Sequence, residues 1–254
     1  MTPDKAESSV RFSEKIADAF SDRLQVLDLS LAQAAYASVS PPTPFNLTAD
    51  ESKRIGAVIG CDYFVLLRSV VQRRSAFQKK DYFEAYAVIY VVSSKTGQLI
   101  LWKLPTFESV NTDLSEKILD DAASAISTDL ETAMREASRK ELTAADPLAI
   151  EEVPDLNSPA AKNFRAPIPY RRVKPEYTEM AALYDVTATV EILVDTDAAG
   201  TIARTEIVRW AGFGLDDSVD KTVRAMNWRP AERNGKSLPM RFLLRYNFKK
   251  VDKN

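Results

Sequence analysis

Histidine is absent from the 254 residues, and cysteine occurs once. Without histidine the chain cannot assemble Ser-His-Asp or Cys-His catalysis, and the commonest zinc ligand is missing with it. A single cysteine excludes an internal disulfide; Cys61 sits in the apolar run Ile59-Gly60-Cys61-Asp62-Tyr63-Phe64-Val65 and reads as a small buried hydrophobe. No Gly-rich phosphate loop occurs. No stretch approaches the roughly 20 apolar residues of a membrane helix; Ala85 to Val92 is among the longest. The N-terminus, Met1-Thr2-Pro3-Asp4-Lys5-Ala6-Glu7, has no apolar signal core, so neither a leader nor an anchor is expected within these residues.

Charge of one sign is not in excess either. Residues 1–166 carry 19 Lys/Arg against 24 Asp/Glu, and residues 167–254 carry 15 against 12. Neither part has the basic surplus that neutralises phosphates, and no nucleic-acid partner is expected. Arg73-Arg74 and Lys79-Lys80 beside Phe77, Tyr82 and Phe83 mix charge with aromatics, but charged strand ends at a hairpin do the same. Asp195-Thr196-Asp197-Ala198-Ala199-Gly200 resembles the start of a calcium loop, yet Ala199 has no side-chain oxygen to offer and both flanks alternate like strands. A hairpin turn is the better reading, and no metal site or cofactor is expected. Asp120-Asp121 and Asp216-Asp217 are neighbours on helices, about 100° apart, and cannot share a proton.

What is present suffices for two cores: 45% hydrophobic and 28% charged residues over a length that suits two domains. In the first half, Ile16, Phe20 and Leu24 share a helix face that Ser13 can cap, Gln25 to Leu29 is a short strand candidate, and Leu31 to Val39 is helical. Thr48-Ala49-Asp50-Glu51 is a capping box opening a helix that ends near Gly60. Strands follow over Asp62–Val71, Tyr82–Val92 and Gln98–Trp102, then a helix from Leu114 to Ala137 with Leu114, Ile118, Ala122 and Ile126 inward. From Ser138 to Ala166 periodicity fades among Pro147, Pro154 and Pro159, which predicts a linker.

The last part reads ββαβ: strands over Thr187–Val194 and Ile202–Trp210 around a turn, a helix marked by Leu215, Val219, Val223 and Met226, a tight turn at Asn234-Gly235, and a strand over Arg241–Phe248. The layout is α+β, with an N-terminal α/β domain (9–137), a linker (138–166) and a small ββαβ domain (167–250).

Pro175-Glu176-Tyr177, Val190, Gly200, Leu215-Asp216 and the block Trp228-Arg229-Pro230-Ala231-Glu232-Arg233-Asn234-Gly235-Lys236 resemble, in order and spacing, the TonB C-terminal domain family. Thr178, Ala188 and Arg209-Trp210-Ala211 depart from its pattern, at the approach to the sheet. Trp228, Pro230, Asn234 and Gly235 read as fold-building: Trp228 covers the sheet, Pro230 stops the helix, and Asn234-Gly235 accepts the positive φ of a turn. The resemblance implies a non-enzymatic energy-transducer-like adaptor of the periplasm or cell envelope, binding an extended segment of an outer-membrane transporter by strand addition. On the last strand, Arg241, Leu243, Arg245 and Asn247 would line the partner side. Homodimerisation through the same domain in a soluble scaffold is the alternative, and an enzyme in the first domain a weaker one.

The first half more loosely resembles the α/β domains of TolB-like and curli-secretion-type envelope proteins, through Ile55-Gly56-Ala57-Val58-Ile59-Gly60 and the strands after it. Such domains open with a hydrophobic strand before the first helix. Only Ser9-Val10-Arg11-Phe12 precedes it here, so that strand is expected upstream of Met1.

Overall fold

The computed structural model describes residues 1–76, 79–143, 150–155 and 157–250. The chain divides into two units, Met1–Ala144 and Ala145–Asn254, each mixing helices with sheet.

In the first unit, α1 (Glu7–Phe20), α2 (Leu29–Val39) and α3 (Ala49–Ile59) come before the sheet. The predicted capping box opens α3: Glu51 N–H donates to the Thr48 hydroxyl (3.1 Å), and Thr48 N–H donates to the Glu51 carboxylate (2.7 Å). Two first-turn donors are thereby satisfied. β1 (Tyr63–Ala76) and β2 (Lys79–Ser93) form a long antiparallel hairpin. β3 (Leu99–Lys103) and β4 (Thr106–Ser109) both pair with the other side of β2. Pro105 lies between them, where a residue without an N–H interrupts the ladder.

α4 (Thr112–Asp121) and α5 (Ala123–Thr143) complete the unit. Alternation along β2 sends Ala85, Ala87, Ile89 and Val91 into a core. There they meet Phe12, Ile16 and Phe20 of α1 and Leu119, Ile126, Leu130 and Met134 of the two late helices. The opposite row, Val88, Tyr90 and Val92, is buried as well. A strand covered on both faces reads as a nearly continuous apolar run, as β2 does.

Several local expectations differ from the structure. Ser13 lies inside α1, where its hydroxyl donates to Val10 O at 2.8 Å; the helix starts at Glu7. Gln25–Leu29 is not a strand, because Asp28 turns to cap α2, accepting from the N–H groups of Ser30 and Leu31. The helix expected over Leu114–Ala137 is two helices. Its inward row is Leu119, Ala123, Ile126, Leu130 and Met134, while Leu114 is 43% exposed. The expected row starts five residues earlier, where the first turn of α4 projects to solvent. Phe77 lies outside the described residues, and so does Pro147.

Parts of the expected 138–166 linker are also ordered. α5 runs through Ser138 to Thr143. Beyond it, Pro159–Ala161 is a single 3-10 turn and β5 (Phe164–Arg165) pairs within the second unit.

In the second unit, β6 (Ile168–Pro169) and α6 (Glu179–Leu183) lead into β7 (Ala188–Thr196) and β8 (Ile202–Arg209). α7 (Leu215–Ala225), β9 (Trp228–Arg229), β10 (Ala231–Arg233), β11 (Lys236–Leu238) and β12 (Met240–Phe248) follow. The main sheet has the order β12-β7-β8, antiparallel throughout, with small side pairings of β11-β10-β5 and β6-β9. Leu215, Val219 and Val223 of α7 are buried, as are Val190, Ile192 and Val194 of β7 and Phe242 and Phe248 of β12. Those rows alternate along their strands, so one face of the sheet carries the helix.

Candidate functional site

β12 is an edge strand, and its outer side is defined by one contact. Arg241 N–H donates to Glu151 O at 2.8 Å, and Val153 N–H donates to Arg241 O at 2.9 Å, forming a parallel bridge at Glu152. Arg241 therefore turns both main-chain groups away from β7. Because main-chain direction alternates along a strand, Leu243, Arg245 and Asn247 point theirs outward too, while Phe242, Leu244 and Tyr246 bond to β7. Among the described residues, no main-chain partner faces Leu243, Arg245 or Asn247.

These odd-numbered residues also share the face opposite α7, and that face is an ionic ladder. Glu191 on β7 is 5% exposed and lies between Arg209 of β8 (3.3 Å) and Arg245 of β12 (2.5 Å). Asp195, 3% exposed, accepts two hydrogen bonds from Arg241, at 2.6 and 2.8 Å. The arginine stems cover the carboxylates, which explains how acids on an open sheet face become buried. Arg241, one of the expected partner-binding residues, is thus engaged by both its guanidinium and its main chain. Arg245 keeps a 62% exposed side chain beside its ion pair, Leu243 is exposed, and the Asn247 amide oxygen accepts from Thr189 at 2.8 Å.

The four motif residues lie outside β12. Trp228 is 4% exposed, its ring 4.9 Å from Phe242, and its indole N–H donates to Val223 O at 3.4 Å. Pro230 does not stop α7, which ends at Ala225; it separates β9 from β10. Asn234 and Gly235 have φ of 52° and 77°, the two left-handed positions that a tight hairpin between β10 and β11 requires. The turn expected over Asp195–Gly200 is shorter, since Asp195 and Thr196 still pair within β7; it spans Asp197–Gly200, where Asp197 accepts from the N–H groups of Ala199 and Thr201, both at 2.8 Å.

The departures from the family pattern also have structural roles. Thr178 caps α6 by accepting from Ala181 N–H (3.1 Å), and its hydroxyl donates to Phe213 O (2.6 Å). Asp216 accepts from Ala211 and Gly212 N–H, at 2.9 and 2.8 Å, so its carboxylate fixes the loop that carries buried Trp210. Burial lifts the Asp216 carboxyl to about 6 against those two donors.

In the first unit, burial pushes the Cys61 thiol up, opposite to thiolate activation, and its sulfur lies 3.5 Å from the Ser94 hydroxyl. Among the described residues there is no cluster of three or more metal-ligating side chains, and no helix is long and apolar enough to cross a membrane.

Two features of the edge are missing from the expected site. Glu191 and Asp195 had a signal, as acids four residues apart on one face of a strand. The bridge of Glu151–Val153 had none, since a single rung leaves no periodic pattern.

A family match agrees with this geometry. The family described as Gram-negative bacterial TonB protein C-terminal matches residues 173–249. The solution structure of the Pseudomonas aeruginosa TonB C-terminal domain is similar at 20% identity, covering 39% of this chain and 94% of that one, with a TM-score of 0.30. A hypothetical protein of Chlamydia trachomatis is similar at 13% identity, covering 54% of this chain and 87% of that one, also with a TM-score of 0.30. No curated protein matches the chain. The ββαβ order, the Trp228–Lys236 block and the family match agree, and residues 173–249 form a domain of the TonB C-terminal family.

Proposed function

We propose that this chain is a binding adaptor of the cell envelope, resembling an energy transducer, whose β12 edge takes an extended segment of an outer-membrane transporter as an added strand. The observation that carries the reading is the outward main chain of Leu243, Arg245 and Asn247 on an edge strand of a TonB-type domain. An exposed row of N–H and C=O groups is a template for another chain. Each outward residue offers one donor and one acceptor, so main-chain pairing supplies most of the affinity. Arg245, exposed and already paired, adds about 0–1 kcal/mol toward an acidic segment. The family match supports a periplasmic setting for the second unit, and its chemistry is binding, not turnover.

Self-association uses the same groups, since a second copy of β12 can fill the edge as an isologous pair. Proline scanning separates edge pairing from other modes. Leu243→Pro removes an outward N–H and should weaken binding of transporter-derived segments about tenfold, from one lost main-chain bond and its neighbours, while circular dichroism stays unchanged. Leu244→Pro removes a donor to β7 and should unfold the sheet. If Leu243→Pro keeps the fold, full binding and the wild-type oligomeric state, the partner does not add at this edge.

A further inference from the structure

The β12 edge is not wholly vacant. The chain's own Glu151–Val153 segment fills its first outward position, and three observations describe how it sits. Its main chain makes the two bonds to Arg241, at 2.8 and 2.9 Å, in the parallel direction. The Glu151 carboxylate takes both terminal nitrogens of Arg233, at 3.0 and 2.5 Å. After Val153 the pairing ends: Pro154 follows, and Asp155 accepts from Ser158 N–H at 2.9 Å, turning the chain away before it reaches Leu243.

We propose that this segment is a resident competitor for the edge, lying in the direction that an added parallel strand would take. The proposal rests on the strand-addition reading above and adds its control. A parallel strand that covers the whole edge, from Arg241 to Asn247, begins where Glu151–Val153 lies and takes the same two groups of Arg241. Of the acidic pair Glu151-Glu152, the first is paired with Arg233 and the second lies in the field of the Arg241 guanidinium, so the edge already holds an acidic segment. Two main-chain bonds and one solvent-exposed ion pair hold it, which is a weak grip. A partner that continues the ladder to Asn247 makes several more bonds and displaces it. A resident that occupies the edge about nine-tenths of the time raises the apparent Kd roughly tenfold.

The test uses the intact chain and a labelled octapeptide, Glu-Glu-Val-Thr-Val-Thr-Val-Thr, which keeps the acidic start and has no proline to halt the ladder. Val153→Pro removes the donor to Arg241 and leaves β12 untouched; Glu151→Ala removes the ion pair alone. Fluorescence anisotropy should show the probe binding roughly tenfold more tightly to Val153→Pro than to wild type, with a smaller gain for Glu151→Ala. A Lys-Lys version of the probe should bind more weakly than the acidic one to every form. Amide exchange at Arg241 should quicken in Val153→Pro without any probe. Equal probe affinity for wild type and Val153→Pro, with binding lost in Leu243→Pro, overturns the competitor and leaves strand addition standing. Absence of binding to Val153→Pro, although Arg241 exchange has quickened, overturns both.

Discussion

Replacing Trp228 by alanine tests whether the most specific residue of the family block acts in the core or at a binding surface. The indole is 4% exposed, tilted 53° against Phe242 at 4.9 Å, and donates to Val223 O at the end of α7. Large aromatic truncations in such settings cost about 3–5 kcal/mol. Of that, the ring pair accounts for about 0.5–1.5 kcal/mol beyond buried area, and the long 3.4 Å hydrogen bond for under about 1 kcal/mol. Because the chain has two units, the loss should be read from amide exchange of β7 and β12 under native conditions, with β2 as an internal control. Protection in β7 and β12 should fall by the full amount while β2 keeps its own. A double-mutant cycle with Phe242→Leu should return a coupling near the ring-pair value. A loss below about 1 kcal/mol, accompanied by weaker partner binding, would refute the reasoning and make Trp228 a surface anchor.

Asp216 should give the second unit an unusual pH response. Its folded-state pKa of about 6 exceeds the ordinary 3.8, so the stability linked to this group is complete below pH 3.8 and is lost as pH rises through 6. Relative to Asp216→Asn, the wild type should lose roughly 3 kcal/mol between about pH 3.5 and 7 at most; a difference curve that rises with pH contradicts this. Gly200→Ala should destabilise more than Gly235→Ala in urea titrations: both sit at positive φ, but a Cβ at Gly200 meets Trp228 O at 2.3 Å, whereas nothing lies within 4 Å at Gly235. Equal costs would mean backbone strain alone matters. Thr178→Val should cost about 1–2 kcal/mol from the lost cap of α6 and the lost bond to Phe213 O, and an unchanged melting curve would show that the loop has another anchor.

Much of this was written in local pattern. The Thr48–Glu51 box, the left-handed Gly60, the alternation of β2, the Asn234-Gly235 turn and the two faces of β12 each depend on a few neighbouring residues, so the order of residues fixes them. The family block was legible for the same reason: Trp228, Pro230, Asn234 and Gly235 stand at fixed spacing along one stretch of chain. The misreadings came where two local preferences competed. Ser13 can cap or bond back within a helix, and Asp28 can end a strand or begin a helix. Only contacts with the rest of the unit choose between them.

The edge itself was decided by tertiary structure. Alternation predicted which β12 side chains share a face, but not which strand borders β12, nor that β7 lies between β12 and β8. It could not pair Arg245 with Glu191, 54 positions earlier, or Arg241 with Asp195, 46 positions earlier. Nor could it show that Glu151 and Val153, in a stretch that reads as linker, return to Arg241. A single main-chain rung requires no particular side chain, so it leaves no mark in the sequence, and it forms only because the fold brings two distant segments within hydrogen-bonding distance.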